Sequence, residues 1–167
     1  VEITCEKTAY VGPYGSPFVT DMDKGRRSGT LDDFISIVKI CDKLDNIDIQ
    51  SHISCEPNDV DVKIRAQVMV YNTLKYSDKP LMGSVYGYEK SKQCIEMASM
   101  LFGGMDAIKD KPVMASIPCT LTPLSYDNNM AGAIIAYAEA GQPQLVNSLS
   151  MAGMTTPATL AGLVSLQ

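Results

Sequence analysis

Tryptophan is absent from this sequence, histidine occurs once, as His52, and the five cysteines contain no Cys-x-x-Cys pair. Cys5, Cys41, Cys55, Cys94 and Cys119 are odd in number and widely spread. A disulfide framework is therefore not expected, and a reducing, cytoplasmic setting fits better. Cys41 and Cys94 sit inside helical patterns, where Cys acts as a small apolar residue. There is no Lys/Arg stripe either, and 14 basic against 19 acidic residues leave a net charge of −5. Phosphate contacts need clustered positive charge, so nucleic acid is not an expected partner. Apolar runs such as Ala131 to Ala138 fall far short of the ~20 residues of a membrane helix, and no membrane association is expected. Gly83-Ser84-Val85-Tyr86-Gly87 matches neither a phosphate loop, nor a dinucleotide fingerprint, nor a nucleophile elbow. The chain opens Val1-Glu2-Ile3-Thr4, with no initiating Met and no basic leader, so it is expected to be a piece of a longer gene product.

What is present is ordinary for a packed domain: 46% hydrophobic and 20% charged residues, with 12 Gly, 9 Pro and 10 Met. The informative feature is a repeat. Lys79-Pro80-Leu81-Met82-Gly83-Ser84-Val85 returns 32 positions later as Lys111-Pro112-Val113-Met114-Ala115-Ser116-Ile117. Extended pieces at Ile47 to Ser51 and Pro143 to Ser148 lie about one period upstream and downstream. Strands recurring every ~30 residues are what βαβ units produce.

Helical periodicity fills the intervals. Leu31, Phe34, Ile35, Val38 and Cys41 form one apolar face behind a Thr30 N-cap. Val60, Ile64, Val68 and Tyr71 predict a second face. Ile95, Ala98, Leu101 and Phe102 predict a third, stopped by Gly103-Gly104. Met130, Ala133, Ile134, Tyr137 and Ala138 predict a fourth, capped by Asp127 and ended by Gly141. A fifth helix is expected to start at Thr155-Thr156-Pro157. Ahead of them, residues 1–29 form a Gly/Pro-rich section in which Val19 to Met22 leads into a tight turn. The fold class is thus α/β: about four βα units over residues 30–167, behind an N-terminal hairpin or extended section. A complete (β/α)8 barrel needs about 250 residues, so a partial TIM barrel is expected, with a small open sheet as the other possibility.

In parallel α/β folds, reactive groups sit in the loops after the strands. Those loops carry His52, Ser54, Cys55 and Glu56, then Ser84, Tyr86 and Tyr88. Ser116, Cys119 and Thr120 come next, followed by Asn147, Ser148, Ser150, Thr155 and Thr156. If the strands are parallel and adjacent, Glu56, Tyr86, Ser116 and Asn147 share one end of the sheet. The faces of Tyr86, Tyr88 and Tyr126 suit a quaternary ammonium group. His52, Cys55, Glu56 and Cys119 are ligand types for zinc, but their spacing is not diagnostic, and no metal is expected.

Three stretches resemble the trimethylamine methyltransferase family. They are Asp21-Met22-Asp23-Lys24-Gly25-Arg26-Arg27-Ser28-Gly29-Thr30-Leu31-Asp32-Asp33, the run Lys39 to Asp48, and Met151-Ala152-Gly153-Met154-Thr155-Thr156-Pro157-Ala158-Thr159-Leu160-Ala161-Gly162. The resemblance implies a TIM-barrel enzyme that moves a methyl group from trimethylamine, or from a quaternary amine such as glycine betaine, to the cobalt of a corrinoid protein. It implies that the cobalamin is carried by that partner rather than by this chain. It also allows a homo-oligomer of the full-length protein. Some members carry pyrrolysine, at a position that would lie beyond Gln167. Within this reading the substrate-binding candidates are Glu56, Tyr86, Tyr88, Ser116, Asn147, Thr155 and Thr156, with no catalytic residue assigned. Glu56 is expected to balance the substrate cation, and the helix start near Thr155-Thr156 to receive a carboxylate. The rival readings are zinc-assisted transfer through Cys55 and Cys119, and a barrel that binds the amine or the corrinoid protein without chemistry.

Overall fold

A computed structural model describes residues 4, 6–121 and 125–166; Cys5 lies outside them. The chain opens with a parallel bridge from Val11 to Ile49, so the N-terminal section joins the sheet ladder as well as forming a hairpin. The hairpin pairs β1 (Phe18–Asp21) with β2 (Gly25–Ser28). Asp21 Oδ1 closes its turn by accepting the Asp23 and Lys24 N–H groups, and Gly25 takes φ +70°, which a β-carbon would resist.

Helix α1 (Leu31–Lys43) starts as predicted. The Thr30 hydroxyl accepts the Asp33 N–H, and Asp33 Oδ2 accepts the Thr30 N–H in a reciprocal capping box. Arg27 grips the same carboxylate with two nitrogens at 2.6 and 2.8 Å, tying hairpin to helix. Together these contacts hold the Asp33 carboxyl well below the usual carboxylate range. Phe34, Val38 and Cys41 are buried along the predicted face.

Helix α2 (Arg65–Tyr76) departs from its predicted stripe. It buries Ala66, Met69, Val70 and Thr73, while Ile64 and Tyr71 are exposed. The buried set has the same helical spacing, but includes a threonine that periodicity counts as polar. The Thr73 hydroxyl is satisfied by the Met69 carbonyl, so its burial leaves no unpaired group.

Helix α3 (Tyr88–Leu101) follows β3 (Leu81–Met82) and buries Ser91, Cys94, Ile95, Ala98 and Ser99. Leu101 and Phe102, expected in the core, are exposed. At ~100° per residue Leu101 sits about 120° away from Ile95 around the axis. Gly103 at φ +96° then turns the chain, and the Gly104 N–H returns to the Ser99 carbonyl. The short α4 (Met105–Ile108) leads to β4 (Met114–Ala115) and β5 (Cys119–Thr120).

Helix α5 (Asn128–Glu139) is capped by Asp127, whose Oδ1 accepts the Asn129 and Met130 N–H groups. It precedes β6 (Asn147–Ser148) and α6 (Leu160–Leu166). The last helix begins later than Thr155-Thr156. The Met151 carbonyl draws in the N–H groups of Met154, Thr155 and Thr156 as a turn, and the Thr159 hydroxyl accepts the Gly162 N–H instead.

The β1–β2 hairpin apart, the sheet ladder is parallel and its segments pair in chain order. Val11 meets Ile49, Gln50 meets Leu81, Leu81 and Met82 meet Met114 and Ala115, Ser116 meets Gln144, and β5 meets β6. Helices α1, α2, α3 and α5 pack against one another in the same order. The main core gathers Ala66, Val70, Leu81, Ile95, Met114 and Tyr137 between α2, α3, α5 and the strands. A smaller cluster of Phe34, Val38 and Met69 joins α1 to α2. Buried Gln142 clamps the core's lower end: its Oε1 accepts the Val113 and Met114 N–H groups, while its Nε2 donates to the Ile108 and Ala140 carbonyls.

The repeat and the ladder differ by one residue. The repeat aligns Leu81 with Val113, but the strands pair Leu81 with Met114. Both of these pack in the helix-side core, and continuing that register sets Ser116 beside Gly83 rather than Ser84.

Candidate functional site

The loops that follow successive strands meet through backbone bonds. The Gly15 N–H donates to the Ile53 carbonyl at 2.7 Å, and the Glu56 N–H to the Ser16 carbonyl at 3.0 Å. These bonds bring Tyr14, from the Gly/Pro-rich section, against His52. Their ring centroids are 5.5 Å apart with planes at 72°, an edge-on contact.

His52 is only 6% exposed, and its Nδ1 has no hydrogen-bond partner among the described residues. Burial pushes its pKa down to about 4, so the imidazole is neutral near pH 7. A cavity of about 10 Å³ is lined by His52, Ser84 and Tyr86 together with Ala66, Met69 and Val70 of α2. Ser84 Oγ accepts the Tyr86 N–H at 3.2 Å, and the Ser84 carbonyl accepts the Ser91 hydroxyl, which fixes the loop into α3.

Tyr14 and Tyr86 are 55% and 42% exposed, with their rings only partly covered. Burial raises the Tyr14 phenol above its ordinary value, and Cys119 and Tyr86 add to the rise. Burial also raises Tyr86, with Glu56 adding to the rise and Arg65 opposing it. Glu56 is not a free anion. Arg65 Nη1 lies 2.7 Å from its Oε1, and the Arg65 Nε and Nη2 both donate to the Val60 carbonyl.

The seven candidate residues therefore separate. Glu56 and Tyr86 are neighbours at the strand ends. Asn147 is exposed, and the β5–β6 register sets it beside Cys119, the thiol that acts on Tyr14. Tyr88 lies elsewhere, at the start of α3. Its hydroxyl donates to Glu139 of α5 at 2.7 Å, and it lines a separate groove with Lys92 and Met105. Ser116 is fully buried, with no partner for its Oγ among the described residues. It pairs with Gln144, whose side chain donates to the Ile134 carbonyl of α5. Thr155 is used in its own loop, donating to the Leu149 carbonyl and accepting the Met151 N–H. Thr156 is buried, and neither threonine opens a helix. Tyr126 is partly exposed in the loop before α5.

Sequence reasoning missed Tyr14 and Arg65. The signal for Tyr14 was the Gly12-Pro13-Tyr14-Gly15 stretch directly after Val11, an apolar residue that proves to bridge to Ile49. The zinc ligand set does not assemble: among the described residues no group of three His, Cys, Asp or Glu side chains is placed to hold a metal. Cys55 is buried, and burial pushes its thiol up. Cys41, Cys55, Cys94 and Cys119 are all free, and no described helix is long and apolar enough to cross a membrane.

Several known proteins are similar to this chain in sequence. The chain is 43% identical over its whole length to a glycine betaine methyltransferase of Desulfitobacterium hafniense, covering 35% of that protein. It is 31% identical over 95% of its length to a proline betaine:corrinoid methyltransferase of Eubacterium limosum, covering 34% of that protein. It is 29% identical over 89% of its length to a trimethylamine methyltransferase of D. hafniense, covering 30% of it. The chain thus spans about a third of the length of the curated relatives it matches. The profile of the trimethylamine methyltransferase (MTTB) family matches residues 1–167 from end to end. By sequence from its first residue to its last, the chain belongs to the trimethylamine methyltransferase family.

Proposed function

We propose that the protein to which this chain belongs transfers a methyl group from a quaternary amine, glycine betaine first among candidates, to the cobalt of a corrinoid carried by a separate protein. The observation that carries the reading is the 43% identity to a glycine betaine methyltransferase across the whole chain. In this reading the chain-ordered parallel ladder is the arc of a (β/α)8 barrel, whose strand ends hold the site. The corrinoid is the acceptor substrate, brought by the partner, and its reduced cobalt supplies the nucleophile. The C–N bond breaks with its electron pair left on nitrogen, so a cation becomes a neutral tertiary amine.

This chain's share is positioning and exclusion of water. Aromatic faces suit the trimethylammonium group, and a neutral His52 avoids repelling it. With Glu56 already paired to Arg65, attraction to the cation rests on ring faces rather than on a bare carboxylate.

The test uses full-length protein, glycine betaine and Co(I) corrinoid. Dimethylglycine should form in equal amount to the Co(I) consumed. Saturable betaine binding with no dimethylglycine would favour the non-catalytic binding barrel. Turnover of trimethylamine alone would move the substrate to the tertiary amine.

A further inference from the structure

We propose that Tyr14 and Tyr86 are two aromatic walls of the site that receives the quaternary ammonium group, with His52 as the positioning residue wedged behind both rings. The proposal rests on the methyl-transfer reading and names the side chains that recognise its substrate.

Three successive strand ends deliver these rings: the loop after Val11, the loop after Ile49 and Gln50, and the loop after β3. His52 touches Tyr14 edge-on and shares its small cavity with Tyr86, so one buried ring buttresses both half-exposed ones. Among the described residues neither phenol makes a hydrogen bond, so packing alone orients the two rings.

Four other aromatics, Phe18, Tyr71, Tyr76 and Tyr88, behave differently, whereas the exposed rings of Tyr10, Phe102 and Tyr126 likewise have no described cation over them. Arg26 lies over Phe18 at 4.1 Å, Lys39 over Tyr76 at 4.4 Å, Lys75 near both Tyr71 and Tyr76, and Lys92 over Tyr88 at 5.9 Å. Those faces are already engaged by the protein's own cations. No described Lys or Arg lies over Tyr14 or Tyr86, and Arg65, the cation that acts on Tyr86 from the start of α2, is turned into Glu56 and the Val60 carbonyl. A ring face carries negative potential and attracts a cation that has shed its water. Two such faces, oriented from behind and free of internal cations, select a positively charged methylated nitrogen over a neutral group of the same shape.

The experiment measures binding to the full-length protein of glycine betaine and of its carbon isostere 3,3-dimethylbutanoate, which keeps the shape and loses the cation. Tyr14→Leu and Tyr86→Leu should each weaken betaine binding by about 5- to 30-fold and leave the isostere within twofold. Tyr14→Phe and Tyr86→Phe, which keep the face, should stay within about threefold. His52→Ala should raise KM for betaine with kcat held within twofold, and His52→Phe should recover KM. Leucine variants that bind betaine like wild type, or lose both ligands alike, overturn the box. So does a loss of kcat in His52→Ala that His52→Phe does not recover. If wild type discriminates between the ligands through these tyrosines but forms no dimethylglycine, the box stands and the methyl-transfer reading fails. If wild type transfers the methyl group while the leucine variants bind normally, the reverse holds.

Discussion

Protonating His52 should cost the fold a measurable share of its stability. It is the chain's single histidine, 6% exposed, with an unpartnered Nδ1 and a pKa pushed down from 6.5 to about 4 by burial. Between those two values the unfolded chain binds a proton that the folded chain refuses, so stability rises with pH across that window. The full contribution is present above pH 6.5 and is lost as pH falls toward 4. The shift corresponds to about 3 kcal/mol, most of it gone by pH 4.5. Asp33 and Asp42, whose carboxyls are held low by Arg27 and by Lys43 respectively, lose their contributions only below the ordinary carboxylate range. The two windows therefore separate. Urea unfolding of wild type and His52→Leu, followed at half-unit steps from pH 7.5 to 4.5, isolates the imidazole as the difference between two curves. The variant should start lower, because its shape fits the site less well, and should then run flatter by about 2–3 kcal/mol across the window. Parallel curves would refute the reasoning, since they would mean that water or a hydrogen bond stabilises the charged ring inside the fold.

Removing Asp33 as Asp33→Ala breaks the capping box and the Arg27 pair together, and should cost about 1–2 kcal/mol in unfolding free energy, with the loss fading as pH falls below the carboxylate range. Gln142→Leu strands the Val113 and Met114 N–H groups and the Ile108 and Ala140 carbonyls; a drop of about 2–4 kcal/mol is expected, with faster amide exchange at Val113 and Met114. The 167-residue chain expressed alone should self-associate on size-exclusion chromatography, because Leu145, Val146 and Leu149 are exposed along and beside β6. A monodisperse monomer with one cooperative melt would overturn that last expectation.

Local features were readable in advance, and features assembled across the chain were not. Helix α1 was legible because its cap, its acidic first turn and its buried face all lie within fourteen consecutive residues. The Asp127 cap of α5 and the Gly103 stop of α3 were legible for the same reason. The stripe of α2 was misread because Thr73 is buried through a bond to its own helix, which hydropathy does not register. The repeat located strands but not their faces, since a slip of one residue sets Ser116 beside Gly83, where it is fully buried. Tyr14 was overlooked because the Val11–Ile49 bridge and the backbone bonds of Gly15 and Ser16 to the loop after it bring Tyr14 to His52, and nothing local announces those long-range pairings. Glu56 looked like a lone carboxylate because Arg65, nine residues away, returns to it only through the turn that ends at α2.

The chain-ordered ladder also bears on how the protein is made. Each pairing of the ladder joins residues 28 to 38 positions apart, so no described segment of it waits for a partner from a distant part of the chain. Loop closure over such spans is modest, and a nascent chain can add one strand and one helix at a time as it leaves the ribosome. Growth would then run from the hairpin toward α6, each new unit docking on a preformed neighbour, with the newest strand always the exposed edge on which a chaperone would act.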